Sequence, residues 1–437
     1  MRRLVVLSLL SLLLGCVTSI GEAGPKPLKA AFGKVDITPW QGVPMGGYYR
    51  KERTTLGESD PLYARCMVLE FPDGKSLTFV SADIVGFLRY DVLLMKEELT
   101  DPDSVFFFAT HNHSGPDTLG VFGQGRDEKF YMKETRAALV KLIKRTRNHV
   151  QPARMFVGAT SGKGLNINWR HPKEISESVN FIKIQNLEGK LLGSLVNFPC
   201  HPETFGKENI VSADFPGYLS EKLEKETGGI SLYINGALGA MVSANTSKLK
   251  NQTKGPGQMA EFGDLIFDRV TKGWKSAWEF KFKERPPILT AEPIIHVDNR
   301  NFLKMLKEGT VPSDERTFTS DLPVHVDDPS DEIFRPSQYG IRTEVSLISL
   351  GPIKILMLPG EATPQLFDAL RSAFPGSMIL AFGLANDEIG YLTTESRALD
   401  PVHESDWKSM ISRKAGSMIY DCVKILADQL KDQNPPK

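Results

Sequence analysis

Short apolar runs rich in β-branched and aromatic residues alternate along this chain with longer stretches in which apolar positions recur about every 3.6 residues. The short runs predict strands over 65–71, 76–82, 104–109, 181–185, 191–198, 230–234 and 353–358. The longer ones predict helices over 91–99, 127–145, 215–226, 258–279, 364–374 and 406–430. The alternation implies a layered α/β or α+β fold with a mixed sheet, not a bundle or a sandwich. No internal repeat and no linker divides the chain, so residues 28–432 read as one body, followed by a polar tail at 433–437. Residues 309–338, rich in Pro, Asp and Ser with weak periodicity, read as an irregular insertion over the surface or beside the site.

The N-terminus changes the picture of where this body works. Arg2 and Arg3 precede an apolar run at 4–14, too short to span a bilayer and typical of a secretory signal. Leu13-Leu14-Gly15-Cys16 resembles a bacterial lipobox, which implies cleavage after residue 15, acylation of Cys16 and a tether at 16–27. An ordinary signal cleaved within 19–23 is the alternative reading. The expectation is an exported, cell-envelope protein, lipid-anchored to a bacterial membrane. Formal net charge is +0 and the basic residues are dispersed, which gives nucleic acid no electrostatic footing as a partner. Beyond Cys16, only Cys66, Cys200 and Cys422 remain, too few for a disulfide framework or a thiolate metal site, so a bound metal must rely on nitrogen and oxygen.

Three strand ends carry the donors for such a site. The run Val105-Phe106-Phe107-Phe108 leads into His111-Asn112-His113, a spacing of two that puts both rings on one face of extended backbone, before Gly115-Pro116 breaks it. Such a pair is either a metal or catalytic pair or a hydrogen-bonded surface one. A second apolar run ends at Pro199-Cys200-His201-Pro202, where flanking prolines restrict the backbone around a histidine. The third run, 353–358, turns through Pro359-Gly360 into Glu361. That glutamate also suits the start of a helix with Thr363 as N-cap and Pro364 at N1. Two imidazoles and one carboxylate, each from the end of a strand, match an open catalytic zinc set with a position left for water.

Across residues 31 to about 404 the sequence resembles the neutral ceramidase superfamily, motif by motif and in order. The resemblance rests on Ala31-Phe32-Gly33-Lys34-Val35-Asp36-Ile37-Thr38-Pro39, Gly42-Val43-Pro44-Met45-Gly46-Gly47-Tyr48 and Val80-Ser81-Ala82-Asp83. It continues through the His111 and His201 motifs, Pro359-Gly360-Glu361, and Gly383-Leu384-Ala385-Asn386 leading to Tyr391-Leu392-Thr393-Thr394. It implies Zn2+ held by His111, His201, Glu361 and Tyr391, a metal-activated water as nucleophile, and His113 as the group exchanging protons. Arg170, in Asn166-Ile167-Asn168-Trp169-Arg170, corresponds to an arginine that stabilises the oxyanion, with Trp169 a departure from the pattern.

Other departures bear on the substrate. His403 stands where the family has a tyrosine near the substrate carbonyl, and Gly239-Ala240-Met241-Val242-Ser243-Ala244-Asn245 lacks the family's aspartate. Ser243 and Asp214 are implied as residues near the cleft, Asp214 equally as a helix N-cap. The resemblance extends to the catalytic domain, and no C-terminal immunoglobulin-like domain is expected. The function implied is zinc-dependent cleavage of a linear amide, such as an N-acyl sphingoid lipid. An esterase or other acyl hydrolase on the same scaffold is the first alternative. The second is a catalytically silent surface lipoprotein binding lipid or glycan.

Overall fold

The structure, a computed structural model, describes residues 26–49, 53–123, 125–239, 242–324, 334–335, 337–400 and 409–433. Eight strands form the path of a large mixed sheet: β1 (Lys29–Asp36), β2 (Tyr63–Glu70), β3 (Ser76–Ala82), β4 (Val105–Ala109), β5 (Gln151–Ser161), β6 (Ser178–Asn186), β7 (Leu191–Phe198) and β8 (Ile230–Asn235). Their spatial order is β8-β7-β6-β5-β1-β2-β3-β4, and Trp278–Phe280 adds a strand against β5. A second sheet holds β9 (Ile288–Ala291), β10 (Val345–Leu350), β11 (Ile353–Met357) and β12 (Met378–Phe382), in that order.

The two sheets face each other, and helices cover both outer sides. In β4, Phe106 and Phe108 enter the core between the sheets with Ile355, Met357 and Phe382, while Val105 and Phe107 point to the opposite face. There they meet Leu139, Leu142 and Ile143 of α2 (Lys133–Arg147), with α1 (Arg89–Glu97) alongside. Helices α3 (Asp214–Thr227) and α4 (Pro256–Gly273) cover the β6–β8 end of the same face. On the far side of the second sheet, α5 (Arg300–Lys307), α6 (Pro364–Arg371) and α7 (Ala415–Gln433) bury Leu306, Leu366, Leu370, Ile419 and Leu426. The result is helix, sheet, sheet, helix. It explains the uninterrupted apolar strands, because both faces of each central strand leave water.

The large sheet is really two halves. Among the described residues, strands β1 to β4 and β5 to β8 pair as a ladder only through Lys29↔Pro152 and Ala30↔Gln151. Counting directions through the antiparallel pairs, β4 and β7 run oppositely, so a flat sheet would send their two histidine motifs to opposite edges. Buried asparagines close the fold differently. Asn235 donates to the Thr110 carbonyl just past β4, and Asn197 Nδ2 reaches the carbonyls of Ile234, Asn235 and Ala381 at 3.1, 3.1 and 2.8 Å. Gly383 N–H in turn donates to Asn235 O at 2.9 Å. These bonds draw the ends of β4, β8 and β12 together in the interior, where unpaired carbonyls would be costly.

Some boundaries differ from the periodicity. The helix expected over 258–279 ends at Gly273, where a Cβ would lie 2.6 Å from Phe181 Cε1. Trp278, Glu279 and Phe280 instead pair with β5, an outcome suited to aromatic side chains. Strands β1 and β5 were not expected, since Gly33, Pro152 and Gly158 interrupt their patterns. The last helix begins at Ala415 because Met410 bridges to Gly390 and Asn299 donates to its carbonyl. Within 309–324, Val311 is buried beside Leu306, and Phe318–Thr319 pairs with Gly340–Arg342.

Candidate metal centre

The turn after β4 takes a conformation that L-residues rarely adopt. His111 has φ 63°, which the hydrogen bonds Thr110 N–H to Ala82 O (2.9 Å) and Asn112 N–H to Ile84 O (3.0 Å) hold in place. Its Nδ1 bonds the Val85 carbonyl at 2.8 Å, leaving Nε2 directed elsewhere. His201 is built the same way: backbone N–H and Nδ1 both bond Val242 O, at 2.8 and 2.9 Å. Tying Nδ1 to a carbonyl fixes ring orientation and tautomer and leaves Nε2 as the donor to a metal.

Both Nε2 atoms converge on one oxygen. Glu361 Oε2 lies 2.8 Å from His201 Nε2 and 3.4 Å from His111 Nε2, in a setting where all three side chains are buried. Burial disfavours the Glu361 carboxylate, but His111 and His201 outweigh it and hold its pKa below the ordinary range. Burial likewise opposes protonation of His201, and the Glu361 contact overrides it in the upward direction. Glu361 owes its position to a parallel pairing with Tyr391 and to its N–H bond with Gly390 O at 3.0 Å.

His113 completes a triangle of rings, 4.8 Å from His111 and 5.7 Å from His201 between centroids, with His111 and His201 5.1 Å apart. Ligand atoms of the three histidines all lie within 4.8 Å of one another, so they form a group able to hold a metal ion. His113 Nδ1 stands 3.2 Å from Glu203 Oε1, close enough for charge pairing but off the direction of a hydrogen bond. Burial pushes the His113 pKa down to about 4 despite Glu203, so the ring is neutral at physiological pH and free to accept a proton. Gly47 is required here, because a Cβ at its φ of 87° would sit 2.5 Å from His113 Cα.

These groups face a cavity of about 430 Å³. Its apolar wall includes Leu88, Leu119, Val121, Phe122, Phe302 and Met305, while Arg170, Glu203, Glu388 and Tyr391 add polar groups. A largely apolar chamber with a few convergent polar groups at one end is the usual form of a small-molecule site. Of the residues singled out from sequence, His111, His113, His201, Glu361, Tyr391 and Arg170 all line it. Ser243 and Asp214 are not among its lining residues. Ser243 forms a backbone bridge beside His201, and Asp214 ties the 204–205 loop to α3, accepting from Phe205 N–H at 2.9 Å and from the Thr204 hydroxyl. His403 and Cys16 lie outside the described residues.

Sequence reasoning missed several members. Arg53, buried, donates to the carbonyls of Gly46 (2.6 Å), His113 (3.1 Å) and Glu208 (3.2 Å) and so pins three segments of the site rim. Asp117 shapes the apolar wall by accepting from Leu119 and Gly120 N–H at 3.0 and 2.7 Å. Glu203, two residues past His201, was the one with a local signal, since it follows a histidine already suspected as a ligand.

No protein-family model matches the sequence. Among curated proteins, the neutral ceramidase of Pseudomonas aeruginosa is 26% identical over 311 residues, covering 64% of this chain and 46% of that protein. The neutral ceramidase of Drosophila melanogaster is 25% identical over 260 residues, 52% of this chain and 36% of the other. The matches thus span less than half the length of these relatives. A crystal structure of the Pseudomonas aeruginosa neutral ceramidase superposes with a TM-score of 0.75 at 19% identity, covering 94% of this chain and 75% of that one. A ceramidase complexed with C2 gives 0.73 at 18%, covering 94% and 76%. The chain thus has the fold of these ceramidase structures, and over about half to two thirds of its length its sequence is similar to neutral ceramidases.

Proposed function

We propose that this protein is a zinc-dependent hydrolase that cleaves the amide of an N-acylated lipid in the cavity beside His111, His201 and Glu361. The observation that carries the reading is the convergence of two imidazole Nε2 atoms, each with Nδ1 tied to a carbonyl, on a single carboxylate oxygen at 2.8 and 3.4 Å. This donor set fits a divalent ion with a preference for nitrogen and oxygen. Tyr391, paired beside Glu361, is the proposed fourth ligand. A zinc ion there supplies a Lewis acid that polarises a carbonyl and lowers the pKa of water.

The chain's own residues do the rest. His113, neutral and within the triangle of rings, takes a proton from the attacking water and returns it to the leaving amine. Glu203 stands behind its Nδ1 and compensates the charge that forms. Arg170, at the cavity wall, offers positive charge to the developing oxyanion, a part in which His403 is proposed to assist. The apolar wall receives acyl chain and excludes water from the polar end. Among the described residues no helix is long and apolar enough to cross a membrane. Acylation at Cys16, proposed from the Leu13-Leu14-Gly15-Cys16 box, is the route to a bacterial cell-envelope membrane and to a lipid substrate.

The test is to measure zinc per purified chain and hydrolysis of matched N-acyl and O-acyl substrates. Stoichiometric zinc with amide cleavage supports the reading. Preference for the O-acyl series makes it an esterase. Full zinc occupancy with no turnover of either series leaves a binding protein and ends the proposal.

A further inference from the structure

One carboxyl in the cavity has no task in the reaction outlined above. Glu388 lines the chamber together with Glu361 and Tyr391 and is only 6% exposed. Its Oε1 accepts the Gly390 N–H at 2.9 Å, whereas its buried Oε2 has no hydrogen-bond partner among the described residues.

The position is built from both sides. Asp387 Oδ1 accepts the Glu388 and Arg89 N–H groups at 3.0 and 2.9 Å, and Asp387 Oδ2 accepts the Thr343 hydroxyl at 2.8 Å. Asn386, just before, takes a left-handed φ of 58° and accepts the Phe107 N–H at 2.8 Å, locking the loop to β4. From the opposite side Gly86 leaves the necessary room, since a Cβ there would stand 2.8 Å from Glu388 Cβ and 2.9 Å from its Cγ. Two distant segments therefore cooperate to seat this carboxyl in the chamber wall, with Leu119 and Ile389 also lining it.

A buried carboxyl oxygen without a partner is unfavourable, and native interiors keep few such groups. A ligand that brings the missing hydrogen bond restores the balance. Burial, and then the neighbouring Glu361 carboxylate, push the Glu388 pKa well above the ordinary range.

We propose that Glu388 is a specificity-determining residue, whose Oε2 binds a hydroxyl or ammonium group carried by the substrate close to the scissile amide. This rests on the amide-hydrolase reading above and narrows it to polar-headed N-acyl compounds over plain alkyl amides.

The experiment uses the zinc-loaded full chain and three dodecanamides that differ only at the end of the amine: hydroxyethyl, aminoethyl and propyl. kcat/KM is measured for each, and calorimetric Kd for the matching sulfonamides, which are not hydrolysed. The wild type prefers at least one polar head over propyl by about tenfold or more in both readouts, the scale of one good hydrogen bond. Glu388→Met brings that ratio to within about twofold of unity, as expected when the bond is gone. Glu388→Gln keeps a preference for hydroxyl but loses one for ammonium, which separates the two heads. Gly86→Ala, which leaves the carboxyl intact but crowds its stem, lowers the same ratio and serves should the Met variant fail to fold. Absence of any preference in the wild type, or its survival in Glu388→Met and Gly86→Ala, overturns the proposal. If no amide is hydrolysed while sulfonamide selectivity is present and collapses in the variants, the amidase reading fails and the assignment of Glu388 stands.

Discussion

The two sides of the cavity hold the same kind of group in opposite states. On the imidazole side, Glu361 sits between His111 and His201 and is kept ionised below the usual carboxylate range. Asp387 and Glu388 are equally buried but have no imidazole partner, and burial, joined for Glu388 by the Glu361 carboxylate, pushes their pKa values up against the hydrogen bonds they accept, Asp387 to about 6. Burial acts alike on all three, so the difference is the partner. The first arrangement suits a metal cation, and the second suits the hydroxyl or ammonium head proposed above.

The imidazole side breaks most completely at His201. His201→Ala removes a donor and leaves Glu361 without its nearest ring. Bound zinc is expected to be lost and turnover to fall roughly a thousandfold or more, checked by metal analysis beside kinetics. Retention of stoichiometric zinc would remove His201 from the ligand set.

His113→Ala sharpens the comparison, because the ring stands close enough to be either a third nitrogen ligand or a proton carrier. As a proton carrier its loss lowers kcat by about a hundredfold or more while zinc stays bound. Zinc lost together with activity would make it a ligand.

The seam joining the two sides is tested by Asn197→Ala, which strips the carbonyls of Ile234, Asn235 and Ala381 of a donor. A loss of about 2–3 kcal/mol is expected, read from the denaturation midpoint. An unchanged midpoint would mean that packing alone closes the fold here.

The smallest effect concerns the acid side. Asp387 has its folded pKa raised from 3.8 to about 6, so the folded protein binds more protons than the unfolded chain between those values. Its stabilising contribution is full below the lower value and is lost as pH rises through the upper one. Asp387→Asn can keep the bonds to Arg89 and Glu388 through its carbonyl and donate to Thr343, so the slope of stability against pH between about 4 and 6 should flatten by on the order of 1 kcal/mol per pH unit. An identical slope in the variant would assign that titration elsewhere.

How much of this was legible depends on distance along the chain. His111, His113 and His201 could be read because each ends an apolar strand, and β3 and β7 keep their expected limits at Ser76–Ala82 and Leu191–Phe198. Arg53 could not, since its three carbonyl partners come from segments up to 155 residues away and its own neighbours carry no periodic signal. Glu388 was equally hidden: its environment is set by Gly86 and Glu361, neither of them local. Asp214 illustrates the converse, a motif residue whose hydrogen bonds serve the 204–205 loop.

What the sequence alone determined is local in origin: which runs become strands, where glycine and proline end them, and which donors stand at those ends. Hydrophobic periodicity and backbone sterics act over a few residues, and they need no knowledge of the rest. Only the tertiary structure decided that two oppositely running strands deliver their histidines to one point, because that required the two halves of the sheet to be joined at two residue pairs and drawn together by buried asparagines. The protonation of each acid followed from the same folding, since a carboxyl's charge depends on what lies within a few ångströms in space rather than along the chain.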